Sequence, residues 1–227
     1  MSNTDTHLDW LGRGQPLLAD ATPPHRLHPQ TLSAFSALQK AAQQEGIDLQ
    51  IVSSFRDFDR QCAIWNRKWR GEAALLDIQG NPLCYKDLSE TQKMHAILMW
   101  SALPGTSRHH WGTDLDVYDK AAVEAWHERF ALVVSEYAQG GPCYRLNQWL
   151  NQHMHEYEFM RPFATYRGGV AEEPWHLSHT PSAKAFEQQR SIPSLVEAIE
   201  RSDLAGKATV LANIDEIFHR YVLNQGV

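Results

Sequence analysis

Ser107-Arg-His-His-Trp-Gly-Thr-Asp-Leu-Asp-Val117 is the stretch around which we expect the fold to be built. Within it, Asp114 and Asp116 alternate with two apolar residues. Such alternation is typical of a short strand that carries polar side chains on one face and apolar side chains on the other. The sequence therefore predicts a strand here with both carboxylates on the same face.

His109 and Asp116 lie seven positions apart, so an unbroken strand would point them to opposite faces. Gly112 lies between them and can adopt backbone angles that turn or bulge the chain. We expect this glycine to bring His109 back toward Asp116. A neutral imidazole and a carboxylate are two usual ligands of a catalytic zinc ion, which generally takes three protein ligands and leaves one position for water.

A third ligand is predicted in Glu172-Glu-Pro-Trp-His176, where His176 supplies a second imidazole. Pro174 disfavours a helix interior, so we predict a kink followed by a strand at residues 175–179. A carboxylate beside a metal-bound water can take its proton, because the metal lowers the pKa of that water toward ~7. Glu173, three residues before His176, is therefore the predicted general base.

Three motifs carry a resemblance to a known family. They are Ser53-Ser-Phe-Arg56-Asp-Phe-Asp-Arg-Gln61, Ser107-x-His109-x-x-Gly112-x-x-x-Asp116 and Glu173-Pro-Trp-His176. Their order and spacing resemble the zinc D-alanyl-D-alanine carboxypeptidases of the VanY and VanX type, over about residues 48–179. The chain departs from that pattern in two places, with Phe55 where the family has Tyr and Asp114 where the family often has Ala.

The resemblance implies that His109, Asp116 and His176 hold Zn²⁺ and that Glu173 activates the water. The expected reaction removes a terminal D-alanine from a peptidoglycan peptide, which is the expected partner. Related possibilities are an L,D-carboxypeptidase, a D,D-dipeptidase or an endopeptidase on the same class of substrate. A non-catalytic cell-wall peptide-binding module is a further alternative, although such a module would need no base like Glu173.

The resemblance also implies roles in substrate binding. Arg56 is expected to hold the scissile carbonyl oxygen or the substrate carboxylate, and a guanidinium suits either task. Ser107 and Gln61 are implied as hydrogen-bonding partners of the substrate. A purely structural zinc site would need a fourth protein ligand, for which Asp114 is the obvious candidate. We predict instead that Asp114 orients a ligand imidazole through its other ring nitrogen.

Composition limits the function classes. The 227 residues are 43% hydrophobic and 21% charged, as in ordinary globular proteins. A net charge of -6 argues against a nucleic-acid partner, and no stretch is apolar for long enough to cross a membrane. The start of the chain lacks the features of a signal peptide, which favours a cytoplasmic location, or a periplasmic one if a leader is missing. The sequence contains no indication of the oligomeric state.

The order of predicted elements indicates an α+β fold, with a small, largely antiparallel sheet, surrounding helices and the metal site on the sheet. Residues 1–29 are predicted to be a proline-rich, loop-like arm, and residues 30–227 a single metallopeptidase domain with a helical C-terminal tail. Helices are predicted at about residues 31–44, 59–70, 90–102, 122–132, 145–157, 192–199 and 209–223. Strands are predicted at residues 49–54, 114–117, 159–163 and 175–179.

Several residues next to the motifs are not expected to bind the metal. His110 is predicted to point away from His109 and to be structural, and His179 to lie at the surface. Trp111 and Trp175 are each adjacent to a ligand motif and could form walls of the site. The irregular residues 71–88 are expected to form a loop over one edge of the site.

Overall fold

The fold is that of a computed structural model that describes residues 9–226. The first eight residues of the predicted arm, and the last residue of the predicted tail, lie outside this description. The strands are β1 (Ala19–Asp20), β2 (Arg26–Leu27), β3 (Leu49–Ser53), β4 (Asp114–Asp119), β5 (Phe159–Met160) and β6 (His176–His179). The hairpin β1-β2 is separate from an antiparallel sheet in the order β3-β4-β6-β5.

Helices surround the sheet, which confirms the predicted α+β class. They are α1 (Pro29–Gln44), α2 (Phe58–Trp69), α3 (Glu90–Trp100), α4 (Lys120–Glu124), α5 (Val134–Tyr137), α6 (Tyr144–His153), α7 (Thr180–Glu187), α8 (Ile192–Glu200), α9 (Lys207–Ala212) and α10 (Ile214–Ile217). Short 3-10 turns cover residues 85–87, 108–111 and 154–157, and a π-helical turn covers residues 218–222. No helix in the described range is long and apolar enough to span a bilayer.

The alternation in β4 divides the sheet into two faces. Leu115 and Val117 are fully buried, and they pack in a core with residues of α1, β3 and α6. Asp114 and Asp116 project from the opposite face because side chains alternate along a strand. The register with β6 places Asp116 opposite His176. The predicted strand thus presents its carboxylates on the face that carries the site.

A second core lies among the helices and includes the C-terminal tail. It contains Trp65 of α2 and Met94 and Ile97 of α3, together with apolar residues of helices α7 to α10. Trp10 is also buried there, and Leu27 is buried in the core beneath the sheet. Two residues of the predicted arm therefore pack into the cores, and the arm is not wholly loop-like because it contains the hairpin β1-β2.

Several predicted elements are shorter or more divided than expected. The helix predicted at residues 122–132 is wrong beyond Glu124. Further along, the backbone N–H groups of Ala131 and Val133 donate to the carboxylate of Glu136. The strand predicted at residues 159–163 has two residues, and the helix predicted at residues 209–223 is divided at Asn213. Helix α7 was not predicted.

Gly112 has the turning role expected of it. Its φ of 67° is left-handed, and it ends the 3-10 turn that carries His109. A Cβ atom at this position would lie 2.5 Å from Leu18 Cδ2 and 3.0 Å from the backbone nitrogen of His28. Only glycine meets both demands without strain, because it lacks the Cβ atom that makes this conformation costly.

Candidate active site

His109 reaches the polar face of the sheet from the 3-10 turn that precedes β4. Its Nδ1 lies 3.0 Å from the carbonyl oxygen of Ser54, just beyond the end of β3. A carbonyl can only accept, so Nδ1 carries the proton and Nε2 keeps its lone pair. That Nε2 lies 3.4 Å from Oδ2 of Asp116. The turn and β3 thus orient the lone pair of His109 toward Asp116.

His176 meets the same carboxylate from β6, but with its other nitrogen. Nε2 of His176 donates to Oδ2 of Asp114 at 3.0 Å. Nδ1 lies 3.4 Å from Oδ1 of Asp116 and 3.1 Å from Oε2 of Glu173. His109 therefore faces Asp116 with Nε2, whereas His176 faces it with Nδ1. In each ring the other nitrogen is held by a hydrogen-bond partner.

His109, Asp116 and His176 could hold a metal ion, because their ligand atoms lie within 4.8 Å of one another. All three are buried, with exposures of 3%, 6% and 4%. Among the described residues, Oδ1 of Asp116 has no hydrogen-bond partner. A buried carboxylate oxygen without a donor is costly unless a cation satisfies it. Two imidazoles and one carboxylate also form a donor set that zinc accepts, so these residues fit a zinc ion.

Asp114 is held by donors on both of its oxygens. Oδ2 accepts from Nε of Arg108 at 2.7 Å and from His176, and Oδ1 accepts from the hydroxyls of Thr113 and Ser178. These contacts agree with the prediction that Asp114 orients a ligand imidazole. They leave it poorly suited to be a fourth metal ligand.

The local charges act differently on the ionisable groups. Burial and the nearby Arg56 lower the pKa of His109, which favours the neutral ring that a metal requires. Burial opposes protonation of His176, but its hydrogen bonds to Asp114 and Glu173 outweigh this and raise its pKa. Burial would raise the pKa of Asp116, yet the neighbouring imidazoles lower it to about 2. Burial raises the pKa of Glu173, which makes it a better proton acceptor than an exposed glutamate.

A cavity of about 870 Å³ opens onto these groups. Arg56, Ser107 and Glu173 line it, so the structure brings these predicted residues together with the three candidate ligands. Nε of Arg56 is buried and has no hydrogen-bond partner in the described part of the chain. Gln61 is different, because it does not line the cavity and its Nε2 donates to the Ala102 carbonyl at 2.8 Å.

Some residues near the motifs have positions that the sequence did not indicate. His179 is 3% exposed and hydrogen-bonds to the Ser182 hydroxyl, so its predicted surface location is wrong. Trp175 lines the cavity, whereas Trp111 is fully buried in the helical core and stacks on Phe186. His110 is structural as predicted, since Nδ1 contacts the Arg56 carbonyl and Nε2 accepts from the Gly105 backbone.

One cavity residue that sequence reasoning missed is Lys68, which lines the cavity from the last turn of α2. The sequence did contain a signal for Lys68, which lies seven positions after the candidate residue Gln61. Residues seven positions apart on a helix share a face. The loop at residues 71–88 contributes Leu76 and residues 78–80 to the cavity wall, which agrees with its predicted place at one edge of the site.

Comparison with known proteins gives a match to one family. The family model described as VanY, D-alanyl-D-alanine carboxypeptidase, matches residues 24–182. Two curated relatives, both uncharacterized proteins of Haemophilus influenzae (strain ATCC 51907 / DSM 11121 / KW20 / Rd), also match. One is 49% identical over 79 residues, which is 35% of this chain and 54% of the relative. The other is 29% identical over 123 residues, or 53% of this chain and 93% of the relative. The chain thus spans about half the length of the first relative.

Solved structures share the fold at low sequence identity. VanYB in complex with D-alanine-D-alanine is 20% identical, with a TM-score of 0.52 over 79% of this chain and 87% of that chain. The D,D-pentapeptidase VanY of a VanB-type resistance cassette, in complex with Zn(II), is 20% identical, with a TM-score of 0.51 over 75% and 84%. The LD-carboxypeptidase LdcB is 18% identical, with a TM-score of 0.50 over 76% and 69%.

Proposed function

The chain belongs to the VanY family of D-alanyl-D-alanine carboxypeptidases, and on that premise we propose that it is a zinc-dependent carboxypeptidase that removes the terminal D-alanine from peptidoglycan peptides. The observation that carries the proposal is the contact of 3.1 Å between Glu173 Oε2 and Nδ1 of His176, inside a cluster able to hold a metal. A carboxylate beside a ligand nitrogen lies where a general base for metal-assisted hydrolysis must lie.

The proposed ligands are Nε2 of His109, Nδ1 of His176 and the carboxylate of Asp116. When bound, zinc supplies a Lewis acid that makes a coordinated water acidic near neutral pH. Glu173 takes the proton of the attacking water and later gives it to the leaving amine. The raised pKa of Glu173 suits both transfers, because a catalyst with a pKa nearer to the working pH can accept and release a proton.

Arg56 is proposed to donate to the scissile carbonyl oxygen as negative charge develops there. Two observations support this role. The guanidinium lines the cavity with a buried, unpartnered Nε, and the backbone N–H of Arg56 donates to the His109 carbonyl at 3.2 Å. The second contact couples the position of Arg56 to the turn that carries a proposed ligand. Donors that are held in place before the reaction stabilise a developing oxyanion most effectively.

The decisive experiment combines metal analysis with mass spectrometry of a peptidoglycan peptide panel. We expect about one zinc per chain and release of the terminal D-alanine from peptides that end in D-alanyl-D-alanine. Glu173→Gln should lower kcat by about 10²- to 10⁴-fold while the zinc content is retained. Glu172→Gln is the matched control, because Glu172 is exposed and lines the same cavity, and it should change kcat only slightly.

Other outcomes would replace the proposal. Cleavage confined to peptides that end in an L,D bond would identify an L,D-carboxypeptidase, and cleavage of the free dipeptide alone a dipeptidase. Cleavage within the peptide would identify an endopeptidase. Binding of peptides by the zinc-loaded protein without any cleavage would identify a binding module.

A further inference from the structure

Two of the four arginine and lysine side chains that line the cavity already donate to other protein groups. Arg108 donates to Asp114, Ser178 and Glu187. Arg190 donates through Nε and Nη1 to the backbone carbonyls of residues 187 and 222. These guanidinium groups are therefore held by the fold. Among the described arginine and lysine side chains of the cavity wall, Arg56 and Lys68 are the two that remain.

A hydrogen bond holds the Lys68 ammonium group in place but does not neutralise its charge. Its Nζ donates to the hydroxyl of Ser101 at 2.7 Å, and this is a neutral partner. An ammonium group has three donors, so one such contact fixes the group while leaving two donors for a ligand. Within residues 9–226 Lys68 forms no salt bridge, although its side chain is partly buried. Burying an unpaired cation is costly, which argues for a ligand that supplies the missing negative charge.

The charge of Lys68 persists at neutral pH. Burial lowers its pKa to about 8, and the neighbouring carboxylate of Glu173 opposes that effect. The positive charge of Arg56 contributes to the lowering of the Lys68 pKa. Arg56 precedes α2 and Lys68 lies in its last turn, so the two side chains reach the cavity from opposite ends of this helix. The helix rises roughly 15 Å from residue 58 to residue 68. Because both side chains are long, the two cationic groups can lie much closer together than that.

We propose that Lys68 binds the C-terminal carboxylate of the substrate, while Arg56 contacts the scissile carbonyl oxygen. The inference rests on the proposed carboxypeptidase function and assigns its recognition of a free chain end to a residue outside the three sequence motifs. A carboxypeptidase must favour a free carboxylate over an internal peptide bond, and a fixed ammonium in a partly buried pocket provides that selectivity. Gln61 does not share this role, because its amide holds the Ala102 carbonyl beside Ser101.

The test crosses enzyme variants with two substrates, a D-alanyl-D-alanine peptide as its free acid and the same peptide as its C-terminal amide. For the unmodified protein we expect amidation to lower kcat/KM by at least about 100-fold. Lys68→Met should lower kcat/KM for the acid by about the same factor and leave the amide almost unaffected. Lys120→Met removes a positive charge that is exposed and outside the cavity, so it should preserve the full preference for the acid.

A binding measurement separates this inference from the proposed function. In the Glu173→Gln background, calorimetric titration should show that the acid binds more tightly than the amide, and Lys68→Met should abolish that difference. Loss of cleavage for every peptide would contradict the proposed function, yet the binding difference would still report on Lys68. An equal loss of affinity for acid and amide in the Lys68→Met variant would overturn the inference.

The variant is expected to fold, because methionine fills a similar volume and removes a buried charge. Thermal unfolding should therefore show that Lys68→Met is at least as stable as the unmodified protein. Lys68→Gln is a second neutral variant with the same expected kinetics. Ser101→Ala should lower the preference for the acid only partly, since it loosens the ammonium without removing its charge. Retention of the full preference for the acid in both neutral variants would also overturn the inference.

Discussion

Asp114 Oδ2 lies 3.0 Å from Nε2 of His176, on the side of the imidazole opposite to the nitrogen that faces Asp116. The register of β4 and β6 creates this arrangement, because it pairs His176 with Asp116 and places Asp114 two residues further along the same face. One strand thus supplies both the proposed metal ligand and the carboxylate that orients the ring of another ligand.

Removing the Asp114 carboxylate should weaken metal binding without abolishing it. For Asp114→Ala we expect a loss in zinc affinity of about 10- to 100-fold, because His176 loses the acceptor that fixes its tautomer and orientation. Competition with a chelator of known affinity measures this change. Asp119→Ala is the control, since Asp119 is buried in the same strand but is not among the candidate ligands. Unchanged zinc affinity in Asp114→Ala would contradict the assigned role.

Zinc binding should release close to one proton at about pH 6, because the two candidate ligand imidazoles differ in protonation. The lowered pKa of His109 means that this ring is already neutral and contributes none. The raised pKa of His176 means that this ring is protonated before the metal binds and must lose its proton. Because protons and zinc compete for the same nitrogen of His176, zinc occupancy should fall as the pH decreases.

Calorimetric titration of the metal in buffers with different ionisation enthalpies counts these protons. The pH is kept near 6 because a zinc-bound water, with a pKa of about 7, remains mostly intact there. The release of two protons would show that His109 is also charged. The release of none would show that His176 is neutral despite its carboxylate neighbours.

Arg108→Met should destabilise the fold, because it removes the guanidinium that pairs with the buried Asp114 carboxylate at 2.7 Å. Removing one partner of a buried pair costs about 3–5 kcal/mol in the free energy of unfolding. Denaturant unfolding of the metal-free protein measures this cost. Arg201→Met is the matched control, since Arg201 pairs with Glu197 at the surface with 70% of its side chain exposed, and the change should cost less than about 1 kcal/mol.

A double variant distinguishes loss of the pair from loss of packing. Arg108→Met combined with Asp114→Ala leaves no unpaired buried charge at this position, so it should be more stable than Arg108→Met alone. If the double variant loses as much free energy of unfolding as the two single variants lose together, the side chain of Arg108 contributes mainly through packing.

Gly112→Ala should lower both stability and zinc affinity. A side chain at φ 67° costs about 1–2 kcal/mol, and the added Cβ atom would also collide with Leu18. We expect the turn that carries His109 to shift, because the backbone nitrogen of His28 also lies 3.0 Å from the added Cβ atom. Gly80→Ala is the control, because Gly80 has φ 83° but no atom within 4 Å of its hypothetical Cβ. A loss of stability no greater than that of Gly80→Ala would show that Leu18 yields without cost.

Arg56→Lys should lower kcat by about 10²- to 10³-fold, as expected when a donor to a developing oxyanion is removed. Lysine keeps the positive charge but lacks the planar fork of donors. Zinc content should be unchanged, because Arg56 is not among the candidate ligands. Steady-state kinetics with the free-acid peptide measures the effect. A change confined to KM would indicate that Arg56 serves substrate binding rather than stabilisation of the transition state.

Local patterns in the sequence predicted much of the sheet and of the candidate site. The alternation around Leu115 and the glycine at position 112 predicted β4 and the turn before it, because strand periodicity and left-handed backbone angles depend on neighbouring residues. The helix predicted from about residue 90 begins at Glu90, where Ser89 and Gln92 form a capping box. Ligand chemistry and motif order pointed to His109, Asp116 and His176, which the fold brings together.

The sequence by itself thus determined the strand alternation, the turn and the kinds of side chain available for metal and proton chemistry. Only the tertiary structure decided which nitrogen of each imidazole faces Asp116, that Gln61 holds a backbone carbonyl, and that Lys68 lines the cavity. These outcomes depend on partners many residues away, such as Asp114, which lies 62 positions before His176. Local patterns specify which face of an element a side chain occupies, whereas burial and pairing arise only when distant elements pack together.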